Sequence, residues 1–249
     1  MRILILGGTG MLGHTLWEGF SGRFPDTYTT IRKNRNRYEA GGLFNSSNVI
    51  DSVDVSDFSE LTGVMKYVRP DFILNCIGIT KRREESDEAI HAIKLNALLP
   101  HKLVEWGKKN SAKVINFSTD CVFDGKHGSY TEESPTNATD LYGKTKALGE
   151  IKGKNALTLR SSFIGAELGA GTELLEWFLS QTGTVQGFKN AIYTGFTTLE
   201  LSRIVENILV HYPRANGIYN ISSEPISKFD LLMLIKEKIM QQHTSYLPH

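Results

Sequence analysis

Surplus charge of either sign is missing from this chain. Lys and Arg number 28 against 27 Asp and Glu, a formal net charge of +1 over 249 residues. That balance provides no broad field for gripping a nucleic-acid backbone or an anionic membrane, so neither is an expected partner. Cysteine is scarce too: Cys76 and Cys121 are the only two, with no Cys-x-x-Cys spacing, and the seven histidines are scattered. Neither a disulfide framework nor a metal site is indicated. No apolar run approaches the ~20 residues of a membrane span. The start MRILILGG lacks the charged stretch, long apolar region and small-residue cleavage site of a secretory leader. Repeats and low-complexity stretches are also missing. What remains is a compact, soluble protein expected in the cytoplasm, with 40% hydrophobic and 22% charged residues, enough for one large or two unequal units with a sizeable core.

Short β-branched apolar runs alternate with longer amphipathic stretches, the pattern of a parallel sheet covered on both faces by helices. Strands are expected at Arg2–Leu6, Tyr28–Ile31, Val49–Val55, Phe72–Gly78, Ala112–Ser118 and Leu157–Phe163. Helices are expected at Met11–Phe20, Asp57–Val68 and Ser86–Lys109, the last with a kink or restart at Pro100, and from Tyr142 onward. After Phe163 glycine, threonine and aromatics become frequent and the alternation weakens to about residue 200. Helical spacing returns at Leu199–His211 and Lys228–Gln241, with a strand at Gly217–Ile221 between them. The expected fold is α/β, a Rossmann-type doubly wound parallel sheet spanning 1–160, with a smaller, interleaved C-terminal substrate-binding region over 161–249.

Gly7-Gly8-Thr9-Gly10-Met11-Leu12-Gly13 lies between the first strand and the first helix. Glycines there allow a sharp turn and let bare backbone approach a pyrophosphate at the helix N-terminus. The Asp or Glu that would meet an NAD ribose about 20 residues later is absent. The second strand runs instead into Arg32-Lys33-Asn34-Arg35, where Arg32 and Arg35 suit a 2′-phosphate. NADP(H) is the expected cofactor and NAD(H) the alternative, although the same residues also fit a solvated basic loop.

Tyr142 and Lys146 stand one helical turn apart. A phenol with a reference pKa near ~10 shuttles protons poorly at neutral pH. A neighbouring ammonium would favour its phenolate, and Lys146 is expected to supply that charge while holding a cofactor ribose. By itself the pair also fits an exposed helix face. Thr119 ends the fifth strand at the carboxyl edge of the sheet, where its hydroxyl would support a developing oxyanion beside the Tyr142 phenol, or else cap a turn.

With GGTGMLG, FSTDCVFDG and YGKTKALGE in this order, the chain resembles the extended short-chain dehydrogenases/reductases, and more narrowly the dTDP-4-dehydrorhamnose reductase family. The resemblance implies hydride transfer from NADPH to the C4 ketone of a nucleotide-linked deoxysugar, in polysaccharide precursor synthesis. It makes Thr119, Tyr142 and Lys146 the catalytic trio and Gly7, Thr9, Gly10, Met11 and Leu12 the pyrophosphate loop. Asp54 and Val55 would meet adenine. Cys76, Ile77 and Gly78 would lie beside the cofactor, with Asn96 near the catalytic centre. Thr80 and Phe163 join Thr119 on the substrate side. Many relatives have Tyr where Cys121 stands, and His249 ends the chain somewhat short for the family, so C-terminal elements of the substrate lobe are an open question. A nucleotide-sugar epimerase or dehydratase of the same superfamily is an alternative, although dehydratases carry Asp-Glu where this chain has Asp120-Cys121. A non-catalytic NADP-binding regulatory subunit is another. The oligomeric state stays open between a single chain and a homodimer.

Overall fold

The computed structural model describes residues 1–80, 89–169 and 171–244. β1 (Ile3–Leu6), α1 (Met11–Ser21) and β2 (Thr27–Thr30) form the first βαβ unit. β3 (Val49–Ile50), α2 (Phe58–Val68) and β4 (Phe72–Asn75) follow. α3 (Ala89–Ala92), a π-type stretch (Ile93–Leu98) and α4 (Leu99–Asn110) make one helical run leading to β5 (Lys113–Ser118), α5 (Leu141–Leu148) and β6 (Ala156–Arg160). The C-terminal part contributes β7 (Phe163–Ile164), α6 (Leu174–Leu179), β8 (Ile192–Tyr193), β9 (Phe196–Thr197), α7 (Thr198–His211), β10 (Gly217–Asn220), β11 (Ile226–Ser227) and α8 (Lys228–Thr244).

Seven strands pair in parallel in the order β10-β6-β5-β4-β1-β2-β3. In β1 the pleat sends Ile3 and Ile5 to one face and Leu4 and Leu6 to the other. The first pair packs with Leu16, Trp17 and Phe20 of α1 and Leu201 and Val205 of α7. The second packs with Leu61 and Met65 of α2 and Leu103 of α4. Burial on both faces is why β1 reads as an unbroken apolar run. The chain winds outward in opposite directions from β1 and β4, so the crevice beyond their carboxyl ends is the topological switch point where such sheets bind ligands. Two small two-stranded sheets, β7-β9 and β8-β11, shape the C-terminal lobe. α7 packs on the main sheet and β10 joins its edge.

Two expected strands end early, while the helix through Pro100 follows expectation. The third strand stops at Ile50 rather than Val55, because Ser52 adopts a left-handed φ of 61° that turns the chain out of the sheet. The sixth strand ends at Arg160, after which the Ser162 carbonyl accepts from Phe196 N at 3.0 Å and Phe163 joins the separate β7-β9 pair. Pro100 marks the expected restart, since α4 begins at Leu99. It occupies the first turn of α4, directly after the π-type stretch, where Leu99 N donates to Lys94 O; the helix absorbs the proline by widening one turn. The expected start at Ser86 lies outside the described residues.

Candidate active site

The turn from β1 into α1 is closed to side chains. A Cβ on Gly13 would lie 2.0 Å from the Gly7 carbonyl oxygen, so helix and strand meet at backbone distance. α1 begins after Gly10 with no side-chain cap and no acidic residue in its first turn, leaving its free amides available to an anion. Gly7, Thr9, Gly10 and Arg32 line a cleft together with Val55 and the β4 end. A second cleft of about 260 Å³ includes Met11, Leu12, Thr119, Tyr142 and Lys146. The two share Gly10, Cys76, Ile77, Gly78 and Ile79, so one groove runs from the basic loop to the phenol. A dinucleotide fits this donor set.

Local packing brings the phenol to the strand end. Asp140 caps α5 by accepting from Gly143 N at 2.9 Å. A Cβ on Gly143 would sit 2.3 Å from the Cys121 carbonyl oxygen, which presses the start of α5 against the Thr119–Val122 turn. Tyr142 thereby lines the same cleft as Thr119. Lys146, one turn on and 7% exposed, donates from Nζ to the Phe117 carbonyl at 2.6 Å. Burial lowers its pKa to about 8, opposed by the carboxylate of Glu150.

The phenol departs from expectation. Its pKa is raised, not lowered, because desolvation dominates and Cys121, Asp120 and Glu173 add negative charge nearby, while the neighbouring Thr119 hydroxyl opposes them. Tyr142 is therefore held in its protonated form.

The remaining expected residues divide. Cys76, Ile77, Gly78, Thr80 and Phe163 line the catalytic cleft. Burial pushes the Cys76 thiol up, away from a reactive thiolate. Arg35 is spent on its own loop: it donates to the carbonyls of Ser46 (3.1 Å) and Val49 (2.5 Å) and pairs with Asp51 at 3.5 Å. Asp54 is exposed and accepts from Ser56 N, so Val55 alone of that pair borders the groove. Asn96 is buried on the π-type stretch. It accepts from Ile79 N (2.9 Å) and donates to Ile79 O (3.1 Å) and Thr145 Oγ1 (3.2 Å), pinning the end of β4 to α5 rather than facing the groove.

Several residues escaped sequence reasoning. Glu150 and Arg160 form a bidentate pair at 2.7 and 2.8 Å, with side chains 6% and 5% exposed. Ser118 also donates to Glu150 at 2.9 Å. Glu173 accepts from Thr80 Oγ1 at 2.8 Å across the cleft, and Ser162 donates to Asp120 at 2.5 Å. Only Glu150 had a visible signal, since it continues the four-residue spacing of Tyr142 and Lys146. Among the described residues no group of three His, Cys, Asp or Glu is placed to hold a metal, and no helix is long and apolar enough to cross a membrane.

Known proteins are similar to this chain in sequence and fold. The chain is 25% identical over 252 residues to dTDP-4-dehydrorhamnose reductase of Aggregatibacter actinomycetemcomitans, a match covering 97% of this chain and 80% of the relative. It is 29% identical over 150 residues to methionine adenosyltransferase 2 subunit beta of Bos taurus, covering 60% of this chain and 41% of that one. The crystal structure of a hypothetical dTDP-4-dehydrorhamnose reductase from Sulfolobus tokodaii superposes with a TM-score of 0.78 at 28% identity, over 96% of this chain and 82% of the other. Residues 1–239 match the model of the RmlD substrate binding domain, and the chain belongs to that family.

Proposed function

We propose that this chain is an NADPH-dependent oxidoreductase that reduces the 4-keto group of a nucleotide-linked deoxysugar for polysaccharide precursor synthesis in the cytoplasm. One observation carries the reading: the protonated Tyr142 phenol lines the same groove as Thr119 and Lys146, and that groove continues to the phosphate-type turn. Reduction of a ketone needs a proton donor at the nascent alkoxide, and desolvation keeps Tyr142 in the form that donates. Thr119 adds a second hydroxyl toward the same oxygen. In this reading residues 1–160 hold the cofactor and the reacting groups, while 161–249 shape the sugar pocket, with Thr80 and Phe163 against the sugar.

NADPH in the groove supplies the hydride. The backbone at Gly7, Thr9, Gly10 and Met11 would hold its pyrophosphate, with Leu12 behind them. Arg32 would hold the 2′-phosphate, and Val55 would lie against adenine. Arg32 stands without Arg35 in that role, which leaves NAD(H) as the weaker alternative. Ile90, Ile93 and Leu98 with Leu148 form exposed apolar surface on the α3–α4 run and α5, and a homodimer through them would be counted by sedimentation.

The test is to mix the protein with dTDP-4-dehydrorhamnose and NADPH and to follow cofactor absorbance. The wild type consumes NADPH, and Tyr142→Phe loses about 10²–10⁴-fold in rate, the usual contribution of a positioned acid. Tight NADPH binding with no turnover in either protein would refute reduction. It would favour an NADP-binding regulatory subunit, the reading that the match to a methionine adenosyltransferase subunit supports.

A further inference from the structure

A buried polar atom without a partner costs stability, so each one in a folded protein asks for a reason. Among the described residues three side-chain atoms are in that position: Thr27 Oγ1, Asn220 Oδ1 and the Tyr193 hydroxyl. Thr27 opens β2 at the amino edge of the sheet, and Asn220 already donates from Nδ2 to the Tyr130 carbonyl at 3.0 Å. Tyr193, in β8, lies behind a wall of the catalytic cleft. A Cβ on Gly195 would collide with both the Tyr193 hydroxyl and the Ser162 carbonyl, so these groups meet at one point, and Ser162 lines the cleft. The acceptors there are taken. The Ser162 carbonyl accepts from Phe196 N at 3.0 Å. Asp120 Oδ1 accepts from Ser162 Oγ at 2.5 Å and from Thr119 Oγ1 at 3.1 Å. Burial and the charge of Asp120 push the Tyr193 phenol up, which keeps it an O–H donor.

We propose that Tyr193 is a substrate-recognition residue whose hydroxyl takes its missing partner from a hydroxyl oxygen of the bound sugar. The inference rests on the reductase reading, which puts the sugar against Phe163, next to Ser162. The lobe permits the contact. β7, β8 and β9 are two residues each and bury none completely, so the small shift that brings the phenol past Ser162 disturbs little packing. A site built to hydrogen-bond a substrate hydroxyl rejects an analogue that lacks it, because the site's own polar group is then left buried and unpaired. Here the free protein already carries the unpaired donor. A sugar that supplies the acceptor relieves it, so affinity and selectivity come from the same atom.

Tyr193→Phe removes one oxygen and keeps the ring. Without substrate, the urea midpoint of the variant should equal or exceed that of the wild type, because nothing in the free protein uses the hydroxyl. With dTDP-4-dehydrorhamnose at saturating NADPH, KM should rise about 2–10-fold, the worth of a neutral hydrogen bond, while kcat stays within about 2-fold. The Kd for NADPH should not move. An unchanged KM overturns the proposal. So does a lower urea midpoint, since it shows that the hydroxyl has a partner, such as a trapped water, in the free protein. Calorimetric titration of dTDP-4-dehydrorhamnose onto both proteins separates this inference from the reductase reading. A wild type that binds the sugar more tightly than Tyr193→Phe but never oxidises NADPH brings down reduction and keeps the recognition role. Equal binding by the two proteins brings down the recognition role alone.

Discussion

In the unit built on the seven-stranded sheet, every residue of β1, β5 and β6 is buried. In the C-terminal lobe α6 and the two-residue strands β7, β8, β9 and β11 bury none completely. The difference follows what each part must do. Tyr142, Thr119 and Lys146 are useful only if their spacing is fixed, because misplacing a reacting group by about 1 Å can cost about 10²-fold in rate. The surrounding unit fixes them with crowded backbone, the Asn96 clamp and a desolvated ion pair. In the proposed reading the C-terminal lobe covers the sugar and needs shape and access, and it is thin and rich in glycine turns. Substitutions should therefore separate the two: stability and turnover change in the first, substrate affinity in the second.

The hardest test is to break the ion pair behind Lys146. Arg160→Leu strands Glu150 in the interior with only Ser118 to satisfy it. Removing one partner of a buried pair costs about 3–5 kcal/mol, to be read from urea unfolding. The exposed Arg203–Glu200 pair, with side chains 77% and 46% exposed, is the internal standard. Arg203→Ala should cost less than about 1 kcal/mol. Equal losses from both variants would erase the contrast.

Lys146 sharpens it. Its amine is lowered from 10.5 to about 8 by burial, so between those pH values the unfolded chain binds a proton that the folded protein has lost. Stability then rises with pH across that window, and the cost of the buried charge is fully present below pH 8. Lys146→Met removes that cost. At pH 7 it should stabilise the fold by about 1–3 kcal/mol, since apolar replacements of buried charges are often stabilising. The gain should shrink above pH 8, while turnover is lost. Melting curves at pH 7 and pH 10 with a parallel assay check both signs. A variant less stable than wild type at pH 7 would show that Lys146 is held for structure rather than function.

The parts of this design that were legible in the sequence are those set by local pattern. Ile3–Leu6 announces a central strand because both of its faces are covered. The glycine turn and the Tyr142–Lys146 spacing declare themselves within a few residues. Val49–Val55 looked like one strand from its alternation, but a single left-handed Ser52 ends it. Pro100 announced a restart because proline fits only the first turn of a helix, which is where α4 holds it. The direction of the Tyr142 shift was missed because the ammonium was visible and the desolvation was not. Arg160 with Glu150, Ser162 with Asp120 and Glu173 with Thr80 lie 10, 42 and 93 residues apart. Only the fold brings them together, and no spacing in the chain encodes it.

The smallest expected effect falls where the two regions touch. Thr80 follows β4 in the rigid unit, and Glu173 is the N-cap residue of α6 in the lobe. Their 2.8 Å hydrogen bond ties the two walls of the cleft together. Thr80→Val keeps the side-chain shape and removes the donor. Glu173 lines the cleft, where water can replace the lost partner, so the net change should be about 0.5–1.5 kcal/mol, or roughly 2–10-fold. Because the bond steadies the lobe over the sugar and leaves Tyr142 and Thr119 alone, the change belongs in KM for the nucleotide sugar at saturating NADPH. Turnover and the urea midpoint should hold. If kcat falls instead while KM stays constant, alignment of the phenol depends on the lobe, and fixed chemistry and adaptable recognition are not divided between the two regions.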